Sequence, residues 1–305
     1  AANRWNSLGM ITFLIVGLFM FFYVIAKFKH VMLPQAASEH GVEIDKLMSI
    51  NWAVLFTVFL ITQTLLFFFA FKYRYNKNRR SFFFHDNNKL EALWTIVPTI
   101  VLATLITTGL LEWNKITNMS KEQKGMLIQL YAKQFDWTAR YAGADGKLGK
   151  SNFMKISDTN PLGVDSLDAN GGDDMMASEL YLPVNVPIDL AINSRDVIHS
   201  AYLPHFRVQM NAVPGMTTRF HFKPTITTAE MRKITGNDKF DYILLCNKIC
   251  GVAHYNMKMK VVVVDPSEFK DWMKGCKPVF PKPEAAAEAT PAAPAADSTK
   301  VVAAK

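Results

Sequence analysis

Three runs without a single charged side chain, 8–26, 47–71 and 92–111, fall within the first 111 residues of this 305-residue chain. They are 19, 25 and 20 residues long. At about 1.5 Å per helical residue, roughly 20 apolar residues cross the hydrocarbon core of a bilayer. One such run is compatible with a buried core helix; three in succession imply a membrane anchor. The first is drawn over 8–28 and read as an anchor rather than a cleaved signal. The chain opens on Ala1 rather than Met, which implies a trimmed or incomplete N-terminus. Pro98 lies inside the third run, where neighbouring helices can satisfy the freed carbonyl. Trp5, Trp52, Trp94 and Trp113 stand near the run ends, at the depth amphipathic rings prefer.

Charge orients the spans. Lys72, Arg74, Lys77, Arg79, Arg80 and Lys89 face only Asp86 between the second and third runs, so this loop is expected inside. The N-terminus is then inside, and everything beyond residue 112 lies outside, in the periplasm. The formal net charge of +8 is concentrated beside the membrane runs, and no basic strip interleaved with aromatics suggests nucleic acid.

Beyond residue 125 the pattern becomes short β-rich runs, 125–132, 184–192, 219–222, 241–245 and 258–264, separated by Gly, Asp, Asn and Pro. Alternation in LPVNVPIDLAI and MKMKVVVVD predicts an antiparallel sandwich or barrel. The acidic tract Asp165, Asp168, Asp173, Asp174, Glu179 sits in a segment, 143–179, expected to be a long loop; it is either solvated or a docking patch for a basic partner. The Ala/Pro-rich stretch 281–305 is expected to be a flexible tail. Four units follow: an N-terminal anchor and outer loop (1–46), a transmembrane hairpin (47–112), an outer β-domain (113–280) and the tail (281–305).

The chemistry is concentrated in CNKICGVAHYNM, residues 246–257. Cys246, Cys250, His254 and Met257 supply thiolate, imidazole and thioether from one loop, the donor set favoured by copper in its lower oxidation state. A Cys246–Cys250 disulfide and a zinc site are the competing readings; zinc sites rarely use methionine. His199, in SRDVIHSAYLPHF, is the candidate for one further ligand, with His205 and His221 as competitors. Three cysteines are too few for a disulfide framework, and no Cys-x-x-Cys-His attaches a c-type haem.

These residues, in order with LEALWTIVPTIVL at 90–102, AVPG at 212–215 and QFDW at 134–137, resemble subunit II of cytochrome c oxidases of the haem–copper family over roughly residues 47–272. The resemblance implies a helical hairpin, here with an extra N-terminal transmembrane helix, followed by an all-β cupredoxin-like Greek-key barrel. It implies a dinuclear copper centre in which Cys246 and Cys250 bridge both ions. His199 and Met257 complete one ion; His254 and the backbone carbonyl of Lys248 complete the other. Electrons would come from a cytochrome c, soluble or tethered, and pass to haem in subunit I, where oxygen reduction drives proton pumping.

Glu91 matches the glutamate at the mouth of the family's inner proton channel. Two departures stand out. Lys248 occupies the place of a glutamate whose carboxylate helps hold magnesium at the subunit I interface, which puts that magnesium in doubt. Phe135 replaces the tryptophan through which the family takes up electrons, so that role is expected to shift to Trp137 or to another exposed aromatic such as Tyr202. The extra span and the insertions at 143–179 and 224–238 suggest contacts within a larger respiratory assembly. Cys276 is expected to be a bystander thiol. The alternatives are a quinol oxidase-type subunit, which lacks the copper ligands, a membrane-anchored copper-binding or delivery protein, and a nitrous oxide reductase-like chain, which needs many more histidines than the seven present.

Overall fold

The computed structural model of the chain describes residues 2–80, 82–118 and 125–280; the expected tail at 281–305 lies outside the described residues. Three long helices come first: α1 (Ala2–Met32), α2 (Glu39–Lys72) and α3 (Asn88–Thr117). Each contains a membrane-length apolar window, none of it buried within the chain. A helix apolar on all sides needs lipid or other helices around it. Their starts are set locally. Ser38 caps α2, its Oγ accepting from the Gly41 N–H at 3.2 Å, and Asn87 caps α3 by accepting from the Leu90 N–H at 3.1 Å. Pro98 is accommodated within α3.

The outer domain is a two-sheet sandwich. One sheet runs β11-β3-β2-β1-β5-β8 and the other β4-β10-β9-β6-β7. The strands are β1 (Met126–Lys133), β2 (Asp136–Tyr141), β3 (Met175–Ala177), β4 (Leu180–Pro183), β5 (Ile188–Ser194), β6 (His199–Leu203), β7 (Val208–Ala212), β8 (Thr218–Phe222), β9 (Tyr242–Cys246), β10 (Lys258–Val264) and β11 (Lys277–Pro278). Alternation decides which side chains enter the core: Ile128, Leu130 and Ala132 of β1 meet Met259, Val261 and Val263 of β10 in one cluster, all 3% exposed or less. The expectation of a wholly antiparallel sheet is corrected, because β1 pairs β5 and β4 pairs β10 in parallel. The run at 184–192 begins as a strand only at Ile188, since Asn185 has a left-handed backbone (φ 59°).

Both insertions are folded. Residues 228–235 form α4 (Thr228–Thr235) with a capping box between Thr227 and Glu230, and α5 (Pro266–Lys274) follows β10. The acidic segment is pinned to the sandwich at Asp174, while its other acids stay in partial contact with solvent. Arg140 and Asp174 are fully buried, and the guanidinium donates to Asp174 Oδ2 (3.0 Å from Nε), Gln129 Oε1, Ser151 Oγ and the Gly149 carbonyl. Asp165 pairs with Lys155 at 2.6 Å, and Asp168 accepts from the Lys150 N–H. Asp174 and Asp165 are thus paired with cations, whereas the backbone bond to Asp168 leaves its charge in place.

The link between α1 and α2 straps the anchor to the sandwich. The Ala37 N–H donates to the His205 carbonyl (2.7 Å), the Thr225 N–H to the Ala37 carbonyl (2.9 Å), and Ser38 Oγ to the Phe206 carbonyl (2.7 Å). Arg207 binds Asp45 through Nε (2.7 Å) and Nη2 (2.9 Å) and also reaches the Pro34 carbonyl. At the other end, Asn3 Nδ2 donates to the Tyr75 carbonyl. The loop after α1 is therefore on the β-domain's side, and the basic loop after α2 is opposite it, as the charge pattern requires.

Candidate metal centre

The centre lies at one end of the sheet that carries β6, β9 and β10. His199 is the first residue of β6, Cys246 the last of β9, and Met257 immediately precedes β10. Pairing of β6 with β9 sets Ala201 opposite Cys246. The intervening loop is closed at its base by the Cys246 N–H donating to the Met257 carbonyl (3.1 Å) and is tied to β6 by the Asn247 N–H donating to the Ser200 carbonyl (2.9 Å). Gln134 clamps its middle, Nε2 donating to the Cys250 carbonyl at 2.6 Å. Gly251 has φ 138°, and a Cβ there would come within 2.9 Å of Gln134 Nε2 and the Phe135 ring, so both backbone and space demand glycine.

Six donors converge. The two sulfurs are 3.9 Å apart, far beyond the bond length of about 2.05 Å in a disulfide. His199 Nδ1 is 3.7 Å and the Lys248 carbonyl 3.2 Å from Cys246 Sγ. His254 Nδ1 is 3.5 Å and Met257 Sδ 3.7 Å from Cys250 Sγ. The donor atoms of His199, Cys246 and Cys250 all lie within 4.8 Å of one another. Donors at about 2.0 and 2.3 Å around one tetrahedral ion stand roughly 3.5 Å apart, so these separations suit donors that share a metal. Two thiols, two imidazoles and a thioether gathered in this way make a set of soft donors suited to a metal.

Burial shapes the site. His199 is 0% exposed, Met257 1%, Cys250 5% and Cys246 9%. Burial first, and the Cys246 thiol second, push the Cys250 thiol up to about 11. A metal that binds Cys250 must displace that proton. His199 is oriented by Asp196, whose Oδ1 is 2.8 Å from Nε2; this leaves Nδ1 facing the sulfurs. Burial raises the Asp196 carboxyl, but hydrogen bonds from the Gln134 N–H, His199 and the Val197 N–H outweigh it and hold the group below the usual carboxylate range. Asp196 is absent from the sequence expectations. The signal was the Asp-x-x-His spacing in RDVIH, which puts a carboxylate at the turn just before the ligand-bearing strand.

The structure thus brings together His199, Cys246, the Lys248 carbonyl, Cys250, His254 and Met257, and leaves out both competitors. His205 packs edge-on to Phe240 and Tyr242, and His221 faces Asp189. Trp137 is 1% exposed, its ring 6.2 Å from that of His199. The expectation of an exposed aromatic fails at this residue: β2 points its ring into the core, where no docked protein can touch it. Tyr202 is half-buried. Glu91 sits in the first turn of α3, at the end remote from the β-domain. The loop also exposes apolar side chains: Ile249, Val252 and Tyr255 are 86%, 92% and 88% exposed.

A membrane-anchored β-sandwich with one strand end and one loop bringing six donors together has the features of the cupredoxin-like class. Comparison with known proteins narrows it. The family model for the cytochrome c oxidase subunit II transmembrane domain matches residues 26–110, and the one for its periplasmic domain matches 126–264. The chain is 31% identical over 230 residues to an alternative cytochrome c oxidase subunit 2 of Bradyrhizobium diazoefficiens, covering 74% of this chain and 78% of that protein. It is 25% identical over 270 residues to a cytochrome c oxidase subunit 2 of Thermostichus vulcanus, covering 80% and 78%. Among solved structures, the periplasmic domain of subunit II of cytochrome oxidase of Bradyrhizobium japonicum is 27% identical with a TM-score of 0.34, covering 50% of this chain and 94% of that one. The chain belongs to the cytochrome c oxidase subunit II family: a subunit of a haem–copper terminal oxidase, with three membrane-spanning helices and a periplasmic cupredoxin-like domain.

Proposed function

We propose that the chain takes electrons from cytochrome c, soluble or tethered, onto a dinuclear copper centre and delivers them to haem in subunit I. The observation that carries this reading is the convergence of six donors around two unbonded sulfurs. In this reading Cys246 and Cys250 would hold both ions, supplying thiolate donors that favour one-electron chemistry. His199 and Met257 would help hold one, and His254 with the Lys248 carbonyl the other. When bound, such a pair supplies one-electron chemistry with the charge shared over two ions.

The chain's own residues do the rest. Two strand ends and a clamped loop fix the donors before metal arrives, so little moves between redox states. Asp196 holds the proton on His199 Nε2 and keeps Nδ1 free. The core side chains exclude water from the thiolates. Ile249, Val252 and Tyr255 form an apolar rim on the side where the half-buried His254 reaches the surface, and this rim is the face for electron exchange with a partner. Trp137 serves as a buried relay beside His199, not as a docking contact. Glu91, at the inner end of α3, is the mouth of a proton path into subunit I. Lys248 brings an exposed ammonium and no carboxylate, so it holds no magnesium ion at the subunit interface. The quinol oxidase-type reading has no use for this donor set.

The test is paramagnetic resonance of the full chain reconstituted with copper under reducing conditions. A hyperfine pattern from one electron shared equally by two copper nuclei, lost in Cys246→Ser and Cys250→Ser, is expected. A single-copper spectrum, or no retained copper, overturns the dinuclear reading.

A further inference from the structure

A second feature lies away from the metal, where the outer ends of α2 and α3 meet. A cavity of about 380 Å³ opens there, lined by Glu43, Lys46, Leu47 and Ile50 of α2 and by Thr108, Leu111, Glu112, Asn114 and Lys115 of α3. On each helix these positions recur at helical spacing, so each set forms one face. The two faces are matched in depth. Going inward, α2 presents charge (Glu43, Lys46) and then apolar surface (Leu47, Ile50). Going outward, α3 presents apolar surface (Thr108, Leu111) and then charge (Glu112, Lys115). Each face spans eight residues, or about 10 Å at the helical rise. Its charged half is therefore about 5 Å tall, close to the depth of one headgroup layer. Trp113 lies within the charged half, at the depth amphipathic rings prefer.

The charges are balanced but not spent. Glu112 and Lys115 pair with each other, whereas Glu43 and Lys46 have no ion-pair partner among the described residues. An apolar helix of another subunit pressed into this notch would bury Glu43 and Lys46 without partners, which is costly at membrane depth. A ligand with both signs at its head and an apolar body below satisfies both halves.

We propose that this notch is a binding site for a zwitterionic, primary-amine phospholipid of the outer leaflet. Lys46 and Lys115 take the phosphate, Glu43 takes the ammonium, and Leu47, Ile50 and Leu111 seat the upper acyl chains.

The experiment uses the assembled oxidase in nanodiscs of equal phosphatidylethanolamine and phosphatidylglycerol. Native mass spectrometry then reads the lipid carried by the released subunit. Wild type is expected to retain phosphatidylethanolamine at least about fivefold over phosphatidylglycerol. Glu43→Gln should abolish that preference, and Lys46→Gln with Lys115→Gln should cut retention about tenfold. Leu111→Trp, which fills the apolar floor and keeps every charge, should also lose the lipid; it serves if the lysine variant does not assemble. Equal retention of the two lipids by wild type, no retained lipid, or retention unchanged in Leu111→Trp overturns the proposal.

Discussion

Replacing Asp196 by Asn tests whether the metal centre depends on a carboxylate that binds no metal. Asp196 accepts three hydrogens: Oδ1 from the Val197 N–H (2.7 Å) and His199 Nε2 (2.8 Å), and Oδ2 from the Gln134 N–H (2.7 Å). An asparagine keeps one acceptor oxygen and turns the other position into a donor. If its oxygen stays on His199, its amide N–H meets the Gln134 N–H and one donor loses its partner, a cost of about 1–3 kcal/mol. If it flips, its N–H meets His199 Nε2. The imidazole must then carry its proton on Nδ1, the nitrogen that faces Cys246 at 3.7 Å, and the donor is lost. Outer-shell changes of this kind typically weaken metal affinity 10- to 100-fold, about 1.4–2.7 kcal/mol. The Asp196 side chain is 29% exposed, so solvent softens the penalty and the lower half of that range is expected. The assay is competition between the full chain and a copper(I) chelator, with circular dichroism as a check on folding. Lys248→Ala is the control: the loop offers its carbonyl there and leaves the side chain in solvent, so affinity should change less than twofold. Copper affinity in Asp196→Asn within twofold of wild type would refute the reasoning.

Three further outcomes follow from the same geometry. Arg140→Met leaves the buried Asp174 without its cation and should destabilise the β-domain by about 3–5 kcal/mol, with faster proteolysis between residues 143 and 174; an unchanged melting temperature would count against the pin. Trp137→Phe should leave the KM for cytochrome c unchanged while slowing reduction of the copper centre several-fold, because the ring touches His199 and not the surface; unchanged reduction removes it from the route. Burial, then Arg207, lowers the pKa of His205, and burial against the opposing pull of Asp189 lowers that of His221. Both groups bind protons more readily once unfolded. Their contribution is therefore fully present above the unfolded value of about 6.5 and is lost as pH falls from there through the folded values. Denaturant midpoints of the chain should fall across that window, and His205→Phe should flatten the fall.

Much of the site was legible in the sequence because its donors are crowded. Cys246, Cys250, His254 and Met257 lie within one loop, and the spacing of soft donors is a local property that no fold has to reveal. His199 could be named only as one of three histidines, since its approach depends on β6 lying beside β9. Asp196 went unnoticed because an Asp three residues before a His is ordinary until the turn aims both at one point. Trp137 was misjudged for the converse reason: the phase of a strand decides whether an aromatic faces water or core, and QFDW contains no alternation long enough to set that phase. The acidic tract looked like a free surface because the partner that buries Asp174 is Arg140, distant in sequence and on another strand.

Composition alone determined that this chain enters a membrane, how many times, and which way round, because transfer of apolar surface and loop charge are summed properties of contiguous residues. It also determined that soft donors cluster, and so the kind of metal they suit. Tertiary structure decided the rest: which histidine joins the sulfurs, that the sulfurs stand apart unbonded, and which carboxylate fixes the tautomer. It also decided how residues 34–38 strap the sandwich to its anchor. Each of these depends on groups far apart in the chain meeting within hydrogen-bond or ligand distance, and only sheet pairing and core packing bring them that close.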